Sequence, residues 1–334
     1  SDSASDSVVV IVPDHVGPLD DSAWVAYAQR NGLSYHSQWE EVVWSGNRQE
    51  YYKKTFPQIP SEPFPNRNPE GHLSFTCCQY PDSGVHTLTH VDGLSSLETV
   101  GGSLAFTFSS SLRDISGLAN LRRVENNLGF FRTKVTSLAP LQNLEFVGGR
   151  LELTQIPLTN LNGLEGLKEV GELRAYIDAN NPAYGASLNN IDGLKNLERA
   201  GYIGLQGTSI THVDALSNLT EITMPTEGYR GIDLSDNQYL ASIEGLRNLT
   251  HVIGAIKLIN VPNIVDLSPL NNIAYMEPNR LHIDKSFSSR GSRVGYKRIS
   301  PDAWLCQPEN SDVFFVPSNP RAVRNYATQA DVCG

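Results

Sequence analysis

Aligned on a single leucine, the hydrophobic positions of this chain recur with a base period of 22 to 24 residues. The first three copies are Val91-Asp-Gly-Leu-Ser-Ser-Leu97, Ile115-Ser-Gly-Leu-Ala-Asn-Leu121 and Leu138-Ala-Pro-Leu-Gln-Asn-Leu144. Leu161-Asn-Gly-Leu-Glu-Gly-Leu167, Ile191-Asp-Gly-Leu-Lys-Asn-Leu197 and Val213-Asp-Ala-Leu-Ser-Asn-Leu219 follow. Ile243-Glu-Gly-Leu-Arg-Asn-Leu249 and Leu267-Ser-Pro-Leu-Asn-Asn-Ile273 complete the series. The anchors Leu94, Leu118, Leu141, Leu164, Leu194, Leu216, Leu246 and Leu270 are spaced 24, 23, 23, 30, 22, 30 and 24 residues apart. Two of the steps therefore carry insertions. A unit of this length cannot bury its apolar face alone, so the copies must stack into one continuous core.

A second pattern follows each anchor, as in Val100-Gly-Gly-Ser-Leu-Ala-Phe106, Val124-Glu-Asn-Asn-Leu-Gly-Phe130 and Val147-Gly-Gly-Arg-Leu-Glu-Leu153. Its apolar-x-apolar pair has the period of a short strand with both apolar side chains turned inward. The remaining pairs fall at 173–175, 203–205, 232–234, 256–258 and 281–283, with an entry strand at 73–75. The Gly or Asn before each pair is expected to supply the positive φ of a sharp turn. Two residues before the anchor stand Asp92, Ser116, Asn162, Asp192, Asp214 and Ser268, which are expected to cap a short helical turn. Two residues after it stand Asn120, Asn143, Asn196, Asn218, Asn248 and Asn272, expected to bond buried backbone where the coil turns back. Asn218-Leu-Thr220 and Asn248-Leu-Thr250 match a glycosylation acceptor, and both fall inside this column as its by-product.

Segments such as Val135-Thr-Ser-Leu-Ala-Pro-Leu-Gln-Asn-Leu144 and Ile264-Val-Asp-Leu-Ser-Pro-Leu270 resemble the repeats of internalin-type bacterial surface proteins. The Val-Gly-Gly-x-Leu-x-Leu half is similar to the receptor L-domain branch of the same superfamily. The likeness spans about residues 71–285. It implies a right-handed leucine-rich-repeat solenoid with a parallel sheet on the concave face and short 3-10 turns on the convex side. It also implies adhesion or recognition through that sheet, and it transfers no catalytic residue. The insertions and the weak coil at 221–230 are departures from the family pattern.

Stacked coils need covers at both ends. Residues 1–70 read as a linker and helical cap, 71–285 as the solenoid and 286–334 as the C-terminal cap. Residues 1–7 look like a linker left after removal of a signal sequence, or like a cut made in a longer chain. A helix is expected at 19–32, with Trp24 and Tyr27 on one face, and a second at 37–44, before a proline-rich extended stretch at 54–69. Cys306 and Cys333 resemble the cysteine pair of extracellular repeat caps. The other two cysteines sit at the far end of the solenoid, beyond the reach of a bridge. Cys77 and Cys78 are adjacent and are expected to form a strained vicinal disulfide, with two free thiols, or one bridging to another copy, as the alternative.

The net charge of −10 and pI near 5.3 argue against wrapping nucleic acid, and no apolar run is long enough to cross a bilayer. No nucleophile elbow, phosphate loop or zinc motif is present. His86 and His90 read as loop residues rather than metal ligands, and Asp233-Leu-Ser-Asp-Asn237 reads as a strand and Asn turn rather than a calcium loop. No cofactor, metal or catalytic centre is expected. The reading is a secreted, surface-displayed or periplasmic binding protein, monomeric, with a protein or glycan ligand. A polysaccharide-acting β-solenoid enzyme is the alternative, and an ice-binding or structural solenoid ranks below it.

Side chains alternate along a strand, so the residues flanking each buried pair project from the sheet. The early strands project small residues, whereas the middle ones carry Arg150, Glu152, Glu172, Arg174, Tyr176 and Tyr202. Asp233, Lys257 and His282 continue the face toward the C-terminus, and the insertions near 178–187 and 224–230 bracket the charged and aromatic stretch. These nine residues are the candidate ligand contacts.

Overall fold

The computed structural model describes residues 9–11, 73–76, 89–107, 109–175, 188–223, 231–284, 295–317 and 326–334. The helices expected at 19–32 and 37–44, the pair Cys77 and Cys78, both insertions and Tyr176 lie outside them. The chain divides into two compact units, Ser1–Pro157 and Leu158–Gly334.

In the N-terminal unit the strands are β1 (Val9–Ile11), β2 (Leu73–Thr76), β3 (Thr99–Val100), β4 (Leu104–Ala105), β5 (Arg123–Val124), β6 (Leu128–Gly129) and β7 (Phe146–Glu152). One parallel ladder runs β2–β4–β6–β7, and a second runs β3–β5–β7. β1 lies antiparallel beside β2, with Val10 opposite Phe75. The repeat period contains no signal for β1, because that strand stands outside the repeat.

In the C-terminal unit the strands are β8 (Glu169–Arg174), β9 (Arg199–Gly204), β10 (Glu221–Ile222), β11 (Gly231–Asp233), β12 (His251–Val252), β13 (Ala255–Leu258), β14 (Tyr275–Met276) and β15 (Leu281–Ile283). The face ladder runs β8–β9–β11–β13–β15, and the second runs β9–β10–β12–β14, all parallel. Parallel strands one coil apart, alternating with 3-10 turns, make this a leucine-rich-repeat solenoid. The second ladder is an addition to the expected single sheet. It forms because the residue pair ahead of each face strand, such as Thr99–Val100 or His251–Val252, is extended rather than turned.

All eight anchor leucines are fully buried, and every inward pair residue from Leu104 to Ile283 is at most 5% exposed. Each buried leucine contributes about 2 kcal/mol by transfer alone. Phe106 and Phe130 stack in parallel inside the N-terminal unit with ring centroids 5.4 Å apart.

The 3-10 turns begin two residues before the anchor, at Asp92–Leu94, Ser116–Leu118, Ala139–Leu141, Asp192–Leu194, Asp214–Asn218, Glu244–Leu246 and Ser268–Asn272. The Leu164 coil has instead a turn through Gly163, whose φ is 106°. The expected capping column is displaced by two residues. No residue in it makes a side-chain cap. Instead Asp114, Asn160, Asn190 and Asp266 accept from the amide two residues on, at 2.8–3.0 Å, and Ser137 and Ser242 do so at 3.2 and 3.1 Å. A short side chain reaches the N–H of residue i+2 by folding over its own backbone, and that geometry is unavailable to the residue owning the amide. The Ser116 backbone N–H, helped by the Ser116 hydroxyl, holds the Asp114 carboxyl below its ordinary range.

The glycines before the strands also serve a different purpose from the one expected. None of Gly101, Gly102, Gly148 or Gly149 has positive φ. A Cβ on Gly148 would stand 2.1 Å from the Glu125 carbonyl oxygen of the preceding coil, so glycine is there for close approach. The expected positive φ before a strand occurs at Asn279, with φ of 59°, ahead of β15. Most other left-handed positions fall after the strands, where Arg132, Gln155, Asp236 and Asn260 have φ of 54–61° and Gly207 has 69°. These residues bond to one another between coils, Arg132 Nε to Gln155 Oε1 at 2.7 Å and Asn260 Nδ2 to Asp236 Oδ1 at 2.9 Å.

The asparagine column works as a set of rungs. Asn120, Asn143, Asn196, Asn218, Asn248 and Asn272 each donate from Nδ2 to the carbonyl that follows the anchor of the preceding coil. The acceptors are Ser95, Ala119, Glu165, Lys195, Ser217 and Arg247, at 2.6–2.8 Å. These rungs lie on the exposed surface, not in the buried interior. The amide nitrogens of both glycosylation-pattern asparagines are used in this way.

At the C-terminal end, Cys306 and Cys333 form the expected disulfide, with their Cα atoms 5.7 Å apart. The short helix α1 (Gln329–Val332) precedes the second cysteine, and Asp331 accepts at its start from the Thr328 N–H at 2.7 Å.

Candidate functional site

On the N-terminal unit's face, Ala105 of β4 lies beside Gly129 of β6, and Gly129 beside Glu152 of β7. This gives a floor of small groups. A Cβ on Gly129 would meet the Thr107 methyl at 3.5 Å and the Glu152 Cβ at 3.9 Å, ordinary contact distances. Arg150 stands 3.9 Å from Glu152 with 39% of its side chain exposed, and Glu152 keeps 16%. Thr154 is buried and its hydroxyl donates to Glu152. Phe131 is half-buried, with the Arg132 guanidinium 5.1 Å from its ring centre.

In the C-terminal unit the register sets the candidates in two rows. Glu172 lies opposite Tyr202, and Arg174 opposite Gly204; Asp233 lies opposite both Gly204 and Lys257, and Lys257 opposite His282. Arg174 binds Glu172 through Nη2 at 2.8 Å and Nε at 3.0 Å. Lys257 Nζ sits 3.3 Å from Asp233. The phenol of Tyr202 lies over Gly204, where an added Cβ would come within 2.6 Å of the hydroxyl. Glycine thus makes room for the ring between Arg174 and Asp233.

Projection from the sheet was expected to leave these residues in solvent, and several are buried instead. Glu172, Tyr202, Asp233 and His282 are 4%, 8%, 9% and 5% exposed. Each is covered from its own face: Glu172 by the Arg174 guanidinium, Tyr202 by folding along its strand, Asp233 by Lys257, and His282 by Phe315 and Tyr326. The Phe315 ring stacks on His282 at 4.0 Å, and Tyr326 meets it edge-on at 6.0 Å. Burial, with the nearby Lys257 charge adding to it, pushes the His282 pKa down to about 4, so the ring is neutral near pH 7.

The structure therefore brings Arg150 together with Glu152, Glu172 with Arg174 and Tyr202, and Asp233 with Lys257 and His282. Phe315 and Tyr326 were not foreseen as parts of this face. They follow the last repeat, and no periodicity assigns them a position. Another unforeseen feature is a file of aromatic side chains on the second ladder. His251 stacks on Tyr275 at 4.7 Å, and Trp304 continues the file 6.4 Å beyond Tyr275. Among the described residues no group of His, Cys, Asp and Glu could hold a metal ion, and no helix is long and apolar enough to cross a membrane. With charges paired and histidine neutral, the C-terminal face offers hydrogen bonds and aromatic surface rather than a strong field.

No family model matches the sequence, and no curated protein does. Among solved structures, an internalin from Listeria monocytogenes aligns over 76% of this chain and 84% of its own, with 13% identity and a TM-score of 0.28. The assignment to the leucine-rich-repeat class stands on the chain's own period, strand register and turns.

Proposed function

We propose that this chain is a secreted or surface-displayed recognition protein that holds a protein or glycan ligand on the sheet face of its solenoid. Residues 1–70 and 286–334 then serve as caps to the repeats at 71–285. One contrast carries the reading: the inward, turn and asparagine positions repeat from coil to coil, while the projecting positions do not. Ser103, Asn127 and Arg150 occupy one such row, and Ala105, Gly129 and Glu152 the next. A purely structural stack has no use for variety confined to one face, whereas binding residues concentrate where a rigid framework presents them. Arginine and tyrosine, both among the candidates, dominate contact energetics at interfaces. The Cys306–Cys333 bridge fits an oxidising compartment.

The test is a glycan array and a surface-protein panel probed with the purified chain, followed by substitutions. Arg150→Ala with Glu152→Ala, and separately Tyr202→Phe with Lys257→Ala, are compared with Gln142→Ala, Lys195→Ala and Ser217→Ala on the turn side. Loss confined to a face set supports the proposal. If only the turn-side set weakens capture while the face sets fold and bind normally, the ligand sits elsewhere.

A further inference from the structure

β15 ends the face of the C-terminal unit, and its free side is taken by chain that returns after the repeats. Arg280 N–H donates to the Val313 carbonyl at 2.9 Å and Phe315 N–H to the Leu281 carbonyl at 3.0 Å. Further on, Ala327 N–H donates to the Ile283 carbonyl at 2.8 Å, with Asp284 and Tyr326 bridged antiparallel. Both returning stretches lie between Cys306 and Cys333, so this strap is tied at its two ends. The aromatic groups of the strap, Phe315 and Tyr326, pack on each other at 4.8 Å and close over one side chain of the sheet, His282.

The groups facing His282 are identifiable from each element. β13 supplies Lys257, and β11 supplies Asp233, which holds that lysine. β15 itself is flanked by Asp284, whose carboxylate accepts from the Asn260 N–H, and by Arg280, held by Glu277. The Asn279 carbonyl stands 3.2 Å from His282 Nε2, and the strap contributes the Tyr326 phenol. A neutral imidazole suits this place, since it stacks on Phe315 and its N–H has a carbonyl to meet. An imidazolium does not, because it loses hydration under two aromatic rings while two cations stand nearby.

We propose that His282 is the latch of an acid-released strap: a proton on its ring drives it out from beneath Phe315 and Tyr326, and the stretches at Val313–Phe315 and Tyr326–Ala327 lift from β15 while the disulfide keeps them tethered. The direction follows from linkage. Buried, the ring binds its proton only near pH 4, whereas a released ring does so near the ordinary value of 6.5. The lifted state therefore binds more protons, and it gains on the closed one as pH falls from about 6.5 to about 4. Above that window the latch is neutral and the strap stays closed. The same cap that shields the sheet edge near neutrality then uncovers it in acid.

The experiment is amide exchange of the intact, disulfide-bonded chain at pH 7 and pH 4.5, corrected for intrinsic rates. Protection at the Phe315 and Ala327 amides is expected to fall at least about tenfold in acid, while the Leu234 amide inside the repeats keeps its protection. His282→Phe preserves the stacking but cannot be protonated, and should abolish that acid response. Equal protection of Phe315 and Ala327 at the two pH values overturns the proposal, as does an unchanged acid response in His282→Phe. If that variant does not fold, Lys257→Met decides. Without this neighbouring cation a protonated ring is better tolerated in place, so the acid response should shrink; an undiminished response rejects the latch.

Discussion

Arg150 of the N-terminal unit keeps 39% of its side chain in solvent and stands 3.9 Å from Glu152, whereas Arg174 of the C-terminal unit keeps 16% and grips the buried Glu172 at 2.8 Å. In the sequence the two motifs are near mirror images, Arg150-Leu-Glu152 and Glu172-Leu-Arg174. Their surroundings separate them. Beside the first lie the small residues Gly129 and Ala105, with Thr154 bonded to Glu152 and the Arg150 side chain still reaching solvent. Beside the second lies Tyr202, in register with Glu172 and folded over Gly204. A long contact whose arginine is partly in solvent contributes little to stability. A buried pair already satisfies its own charges, and breaking it strands one of them. The lesson is that equal motifs on repeated coils can be loosely paired in one unit and a buried, cohesive pair in the other.

That contrast is broken most directly by removing each guanidinium. Arg174→Met leaves the Glu172 carboxylate buried without its cation and should cost about 3–5 kcal/mol, while Arg150→Met should cost less than about 0.5 kcal/mol. Urea titration of both variants measures the difference, and equal losses would mean the two faces are energetically alike. Cys306→Ser combined with Cys333→Ser should cost about 3–4 kcal/mol, the value for a loop of 27 residues in the chain-entropy model. Exchange protection should fall at Ile299 and Phe315 but hold at Leu104 and Phe130; a loss spread evenly over both units would contradict this.

The framework, unlike the faces, should respond identically in both units. A Cβ on Gly117 or on Gly245 would stand 1.9 or 1.8 Å from a carbonyl oxygen of the preceding coil, Val91 or Val213. Gly117→Ala and Gly245→Ala should therefore each cost about 2 kcal/mol as the coils are pushed apart. Calorimetry giving a sizeable loss in one unit and none in the other would show that the coils are not equivalent. Smaller again, Asn143→Ala and Asn248→Ala should each cost about 1 kcal/mol, the worth of one hydrogen bond. A loss several times larger at either site would mean that the rung does more than tie two coils.

The core was legible because one physical demand repeats. Each coil must bury Leu94 or its counterpart together with an inward pair, and those positions can be read off by spacing alone. The turn column was misplaced for a local reason: Asp92 and Asp114 are both small and polar at a turn, and only geometry shows that Asp114 reaches the amide. The asparagine column declared its purpose but not its setting, since spacing does not distinguish an exposed carbonyl from a buried one. The face was the least legible part. Alternation places Tyr202 and His282 on it correctly, yet their burial depends on Gly204 making room for a ring and on Phe315 returning from beyond the repeats. Neither relation has a period.

The asparagine rungs have a consequence for how such a chain can change. Asn143 and Asn272 reach back over 24 and 25 residues to their carbonyls, while Asn196 and Asn248 reach over 31, and the bonds are 2.7–2.8 Å in all four. The molecule thus counts coils rather than residues. Extra chain added between two rungs leaves the next rung where it was, so loops can lengthen, shorten or be exchanged by descent or by design without renegotiating the stack. A lineage holding this scaffold can search for new surfaces at one coil while the others keep their shape.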